Sequence, residues 1–184
     1  SDQGLATEAL DYYNRSLKIR EAIGDESGVA NSLHNLAAIY DEQGQENKAL
    51  DYYERSLKIY EVIGNKIGLA HSLNNIGYFF KRKGHLTEAL DYYNRSLKIR
   101  EEIGSKDGIA LSINNIAILY KKNGQYKKAL AYSLKSLGIS KEIGSISNIK
   151  HAAELLTELY ERQGNGMKSL EMYKLYVTMK DSLS

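Results

Sequence analysis

The 184-residue sequence contains no cysteine, no proline and no tryptophan, and only two phenylalanines. Without cysteine there is no disulfide framework, no thiolate metal site and no cysteine nucleophile. Without proline nothing breaks a helix from within, and the 15 glycines then point to long helices that end at glycine. Apolar runs are short, Ile76 to Phe80 being an example, whereas about 18–20 residues are needed to cross a bilayer. An excess of one charge is lacking too. The 25 Lys+Arg oppose 23 Asp+Glu for a net +2, which carries no electrostatic signature of a nucleic acid or a membrane surface as partner. What remains is 42% hydrophobic and 26% charged, the composition of a soluble globular chain. No leader peptide is visible, and Ser1 does not look like a native start.

What the sequence does have is repetition. Gly4, Gly44, Gly84, Gly124 and Gly164 recur at intervals of 40 residues, and Gly24, Gly64, Gly104 and Gly144 form a second series with the same interval. The block 45–84 aligns without gaps on 85–124, with more than half of the positions identical. A fixed period in this range means stacked supersecondary units. Between glycines the apolar residues have helical spacing: Ala30, Leu33, Leu36, Ala37 and Tyr40 in one stretch, and Ala49, Leu50, Tyr53, Leu57, Ile59 and Ile63 in the next. The expected helices are 5–23, 27–43, 46–63, 67–83, 86–103, 107–123, 126–143, 147–163 and 167–181. Glycine closes each of the first eight, and Ser27, Asp107 and Ser147 are the expected N-caps. Loops of two to four residues force neighbouring helices antiparallel.

The residues at fixed register resemble the tetratricopeptide repeat, whose pattern is large-x2-Leu-Gly-x2-Tyr followed by Ala-x3-Phe. The copies read Leu33-Leu36-Ala37-Tyr40 with Ala49 and Tyr53, and Leu73-Ile76-Gly77-Phe80 with Ala89 and Tyr93. They continue as Ile113-Ile116-Ala117-Tyr120 with Ala129 and Ser133, and Ala153-Leu156-Thr157-Tyr160 with Ser169 and Tyr173. Where the family has proline this chain has Glu21, Glu61, Glu101 and Lys141, so the second helix runs on and the repeat lengthens. The resemblance is to the long-repeat branch: Pins-type adaptors and, more so, arrays upstream of bacterial sensor kinases, cyclases and helix-turn-helix regulators. It implies an all-α, right-handed superhelical solenoid of antiparallel helix pairs. The expected organisation is a single array with full repeats at 27–63, 67–103 and 107–143 and a terminal repeat at 147–181. Residues 5–23 are then the unpaired second helix of a truncated repeat, with Ser1 to Gly4 the tail of a first helix. Its exposed face, with Ala9, Leu10, Tyr13 and Leu17, is expected to self-associate.

Signatures of chemistry are thin. His34, His71, His85 and His151 form no metal-binding pair, no nucleophile turn is present, and the glycines make no phosphate loop. The expectation is therefore a non-enzymatic chain without cofactor or metal. The groove is the better candidate. In the implied solenoid the first helices of each pair line the concave side. They present Asn31, His34, Asn35, Ala38, Asp41 and Glu42, and then His71, Asn74, Asn75, Tyr78, Lys81 and Arg82. Further along come Leu111, Asn114, Asn115, Ile118, Lys121 and Lys122, and finally His151, Glu154, Leu155, Glu158, Glu161 and Arg162. Asn35, Asn75 and Asn115 share one register position, and an amide offers a donor and an acceptor together, as a peptide backbone does. The resemblance implies that such asparagines hold a ligand's main chain; tying neighbouring helices together is the structural alternative. Lys81, Arg82, Lys121 and Lys122 either complement helix C-termini or bind an acidic group. The expected partner is a protein or peptide segment, of acidic character on the second of these options, with no nucleic acid and no membrane insertion. The expected role is the sensing or assembly region of a larger bacterial signalling protein. The alternative is an oligomerisation module transmitting geometry to a following coiled coil. The default compartment is the cytoplasm, or the extracytoplasmic side if the chain is the sensor of a membrane kinase.

Overall fold

The computed structural model describes residues 2–183, and side chains from residue 8 onward. Ser1 lies outside the described residues. The described chain is all-α: α1 (Asp2–Ile23), α2 (Glu26–Glu42), α3 (Glu46–Val62), α4 (Lys66–Lys83), α5 (Leu86–Glu102), α6 (Lys106–Lys122), α7 (Tyr126–Ile143), α8 (Ile146–Arg162) and α9 (Gly166–Asp181). α1 begins at Asp2 and runs through Gly4, so that glycine ends no helix, unlike its counterparts at 44, 84, 124 and 164. The helices group into two compact units, one up to Phe79 and one from Phe80.

Eight glycines from Gly24 to Gly164 have φ between +66° and +82°, the left-handed conformation that closes a helix without a Cβ penalty. Around Gly44 the closing bonds are Gly44 N–H to Asp41 O at 3.0 Å and Gln45 N–H to Tyr40 O at 2.8 Å. The residue after each glycine thus completes one helix and opens the next, and the connections shrink to two or three residues. This corrects the expected N-caps. Asp25, Ser105 and Ser145 hold those positions, and Ser27, Asp107 and Ser147 lie in the first turn because no residue is left to spare. Asp25 caps through its carboxylate, which accepts from Gly28 N at 2.8 Å. Replacing Gly104 (φ +68°) by Ala forces a Cβ into this conformation, and urea unfolding should show a loss of about 1–2 kcal/mol.

Small residues sit where helices meet. In the first unit Ala30, Ala37 and Ala49 are fully buried, and Ser56 Oγ donates to Ala30 O at 2.8 Å across the α2–α3 contact. The second unit repeats the device: Ser136 Oγ donates to Ala110 O at 2.8 Å, with Ala117 and Ala129 buried. Large residues fill the space between. Tyr53 packs edge-on against Phe79 in the first unit. In the second, Ala89, Tyr93, Ile116 and Leu119 form one cluster and Ala117, Ala129, Leu155 and Leu159 another.

A third glycine series, Gly28, Gly68 and Gly108, does a different job. Each lies in the first turn of α2, α4 or α6 and makes room for a side chain from the end of the preceding helix. Arg20 Nη1 donates to Gly28 O at 2.7 Å, and buried Arg100 donates to Gly108 O at 2.8 Å and to Ser112 Oγ at 3.1 Å. Burial lowers the Arg100 pKa, against the opposing pull of Asp107. Opposite Gly68 stands the ring of Tyr60.

Candidate functional site

Each unit has its own cleft between neighbouring first helices. In the first unit a cleft of about 470 Å³ lies between α2 and α4. Asn31, His34, His71 and Asn75 line it as the register predicts, joined by Tyr60, Asn65 and Ser72. These side chains are already tied together. The Tyr60 hydroxyl donates to Asn31 Oδ1 at 2.7 Å, and Asn65 Nδ2 donates to Ser27 Oγ at 3.3 Å. Asn75 Nδ2 lies 2.8 Å from His34 Nε2. An amide nitrogen can only donate, so His34 accepts at Nε2 and carries its proton on Nδ1, which is buried and has no partner. Asn75 therefore fastens α4 to α2, the structural role that the sequence left open for it. Asn35, half-buried, is not among the residues lining the cleft, nor are Asn74 and Tyr78. Asp41, expected on the groove surface, is buried.

Burial, with His71 adding a smaller push, lowers the His34 pKa to about 4. The unfolded chain titrates this group near its ordinary 6.5, so between pH 6.5 and 4 the unfolded chain binds a proton that the folded chain does not. Stability should fall as pH drops through that window and level off, for this group, below it. The imidazole resonances of His34 should titrate with a midpoint near 4, and His34→Gln should flatten that part of the stability profile.

In the second unit a cleft of about 280 Å³ lies between α6 and α8. Leu111, Asn114, Asn115, Ile118 and Lys121 line one side, and His151, Glu154, Leu155 and Glu158 the other. Asn114 is only 4% exposed, and its Oδ1 accepts no hydrogen bond. Burial lowers the pKa of His151 and keeps its ring neutral at neutral pH, with Lys150 pushing the same way and Glu154 opposing. The expected basic patch is partly answered from within: Lys121 Nζ bonds to the Glu158 carboxylate. Burial lowers the Lys81 pKa, and Lys122 lowers it further, which places those two cations near each other. Arg82 and Lys122 are exposed, and all four cations stand in the last turn of α4 or α6, where the helix dipole favours them. Tyr60 and Asn65 escaped sequence reading because they come from the end of a second helix and the connection after it. The available signal was the variation at that register: Arg20, Tyr60, Arg100, Ser140.

These paired helices, short connections and small-residue contacts have a counterpart in sequence. The tetratricopeptide repeat family matches residues 1–61 and 68–142. The chain belongs to the tetratricopeptide repeat family. That family is in general a non-enzymatic scaffold for protein interaction. No curated protein matches the chain significantly. Solved structures share the fold at low identity. The crystal structure of BtubC (BKLC) from P. vanneervenii is 17% identical with a TM-score of 0.85, over 97% of this chain and 75% of that one. The crystal structure of a Rap protein complexed with Competence and Sporulation Factor is 21% identical with a TM-score of 0.79, over 97% of this chain and 50% of that one. That of a Podosopora anserina kinesin light chain with nearly identical repeats is 16% identical with a TM-score of 0.70, over all of this chain and 90% of that one. The tetratricopeptide array thus spans half the length of the Rap chain it matches. Among the described residues no helix is long and apolar enough to cross a membrane, and no cluster of three or more His, Cys, Asp or Glu could hold a metal ion.

Proposed function

We propose that this array binds an extended peptide segment along its first helices, as the sensing or assembly region of a larger bacterial signalling protein. The observation that carries this reading is the α6–α8 cleft, where an apolar floor of Leu111, Ile118 and Leu155 is bordered by the amides of Asn114 and Asn115. Alternating apolar and amide surface suits a ligand with side chains and a repeating main-chain donor and acceptor. The likeness to a Rap protein solved with Competence and Sporulation Factor supports the reading at the level of fold. The test is a pull-down with the purified chain, identification of the retained peptides, and titration of one into Asn115→Ala. Affinity should fall about tenfold with little change in the unfolding midpoint. A lowered midpoint with unchanged affinity would assign Asn115 to helix packing instead.

Self-association is a second reading, favoured by apolar side chains exposed at both ends. Tyr12, Ile19 and Ile23 on α1 are more than half exposed, as are Met167, Leu170 and Tyr173 on α9. Sedimentation of the parent beside Ile19→Lys and Met167→Lys variants tests it: a concentration-dependent dimer that either change dissolves supports an assembly role, and a monomer at every concentration removes it.

A further inference from the structure

The α6–α8 cleft has a charge sign, and it is opposite to the one the lysines suggest. Glu154 and Glu158 stand one turn apart on α8, facing the cleft. Like charges at this spacing repel, and Lys121 bonds to Glu158 alone. Glu154 makes no hydrogen bond or ion pair among the described residues, and its titratable neighbour His151 is held neutral. The cleft therefore keeps a net negative charge, centred on Glu154. Beside it lies the apolar surface of Leu111, Ile118 and Leu155, which suits the methylene stem of a long cationic side chain. An independent observation also points to a donor-bearing ligand: Asn114 lines the same cleft, is 4% exposed, and leaves its Oδ1 acceptor unsatisfied. Buried acceptors of this kind are uncommon in folded proteins, and a ligand N–H relieves the deficit.

We propose that this cleft is a subsite for a basic residue of the bound peptide, with the cationic head on Glu154, the stem on the leucine and isoleucine floor, and a main-chain N–H on Asn114. The inference rests on the peptide-binding reading above. It favours Arg over Lys, because a guanidinium pairs with a carboxylate through two parallel bonds. Lys121 stays with Glu158, which leaves Glu154 to the ligand.

The probes are N-acetylated, C-amidated pentapeptides Ala-Leu-Xaa-Leu-Ala with Xaa as Arg, Gln or Glu, titrated into the isotopically labelled chain and followed by NMR. The Arg peptide should shift the side-chain amide signals of Asn114 and Asn115 and bind about tenfold more tightly than the Gln peptide. The Glu peptide should bind most weakly, and salt should narrow the difference. Glu154→Gln, at an exposed position, should bring the Arg peptide to the affinity of the Gln peptide without moving the unfolding midpoint. An Arg affinity unchanged in that variant, or a Glu peptide bound as tightly as Arg, overturns the basic subsite while the peptide reading stands. So does binding confined to signals of the α2–α4 cleft. Absence of shifts from all three peptides up to their solubility limit overturns both.

Discussion

Tyr93→Ala lowers the stability of this chain by about 3–5 kcal/mol, while Tyr173→Ala changes it by about 0.5 kcal/mol or less. The two residues occupy the same register of the second helix, so helix propensity and the residue lost are the same. Only the packing differs. Tyr93 is completely buried, wedged with Ala89 against Ile116 and Leu119. Tyr173 lies on the last helix and is 52% exposed. Removing the Tyr93 ring opens a cavity lined by side chains on two helices, which relax only in part because small residues already hold the helices close. Removing the Tyr173 ring exposes little that was hidden. Tyr53→Ala belongs with Tyr93, since its ring meets His34 at 5.1 Å and Phe79 at 5.9 Å, edge-on in both cases. Urea unfolding followed by circular dichroism measures all three. Equal costs at Tyr93 and Tyr173 would mean that burial does not set the cost of losing the ring.

The same register explains what could be read without coordinates. Gly44, Gly84 and Gly124 marked helix ends because only a left-handed residue closes these helices, and that demand is local. Ala37, Ala49 and Ala117 could be placed at close approaches because their smallness recurs at one position. The N-caps were misplaced by two residues for a physical reason: the residue after each glycine serves two helices at once, an economy that spacing alone does not reveal. Asn31, His34, His71 and Asn75 were legible as cleft residues from register, whereas Tyr60 and Asn65 were not, because a second helix supplies one and a connection the other. The charge of the α6–α8 cleft was hidden for a similar reason. Lys121 looks unengaged in the sequence, and its partner Glu158 lies on a helix that is not the next one along but the one after it. Gly28, Gly68 and Gly108 are also evenly spaced, but their meaning depends on the side chain that arrives from eight residues before.

That dependence gives the second large effect. A Cβ added at Gly68 would lie 2.3 Å from Tyr60 Cε1 and 2.5 Å from Cδ1, closer than carbon atoms approach. The ring cannot swing away freely, because Tyr60 is buried and its hydroxyl is bonded to Asn31. Gly68→Ala should therefore cost about 1–3 kcal/mol in overpacking, offset by the roughly 1 kcal/mol that Ala gains over Gly in a helix. The net loss expected is about 0–2 kcal/mol. The fourth copy shows the way out, since Ser140 stands where Tyr60 does and Asn148 where Gly68 does. Tyr60→Ser alone empties buried space and should cost about 2–4 kcal/mol. In that background the clash is gone, so Gly68→Ala should become stabilising by about 0.5–1 kcal/mol. The double-mutant cycle should then show a coupling of about 2 kcal/mol between the two positions. Additive costs would mean that the ring and the glycine do not share the space, and that Gly68 answers to its own helix rather than to the one before it.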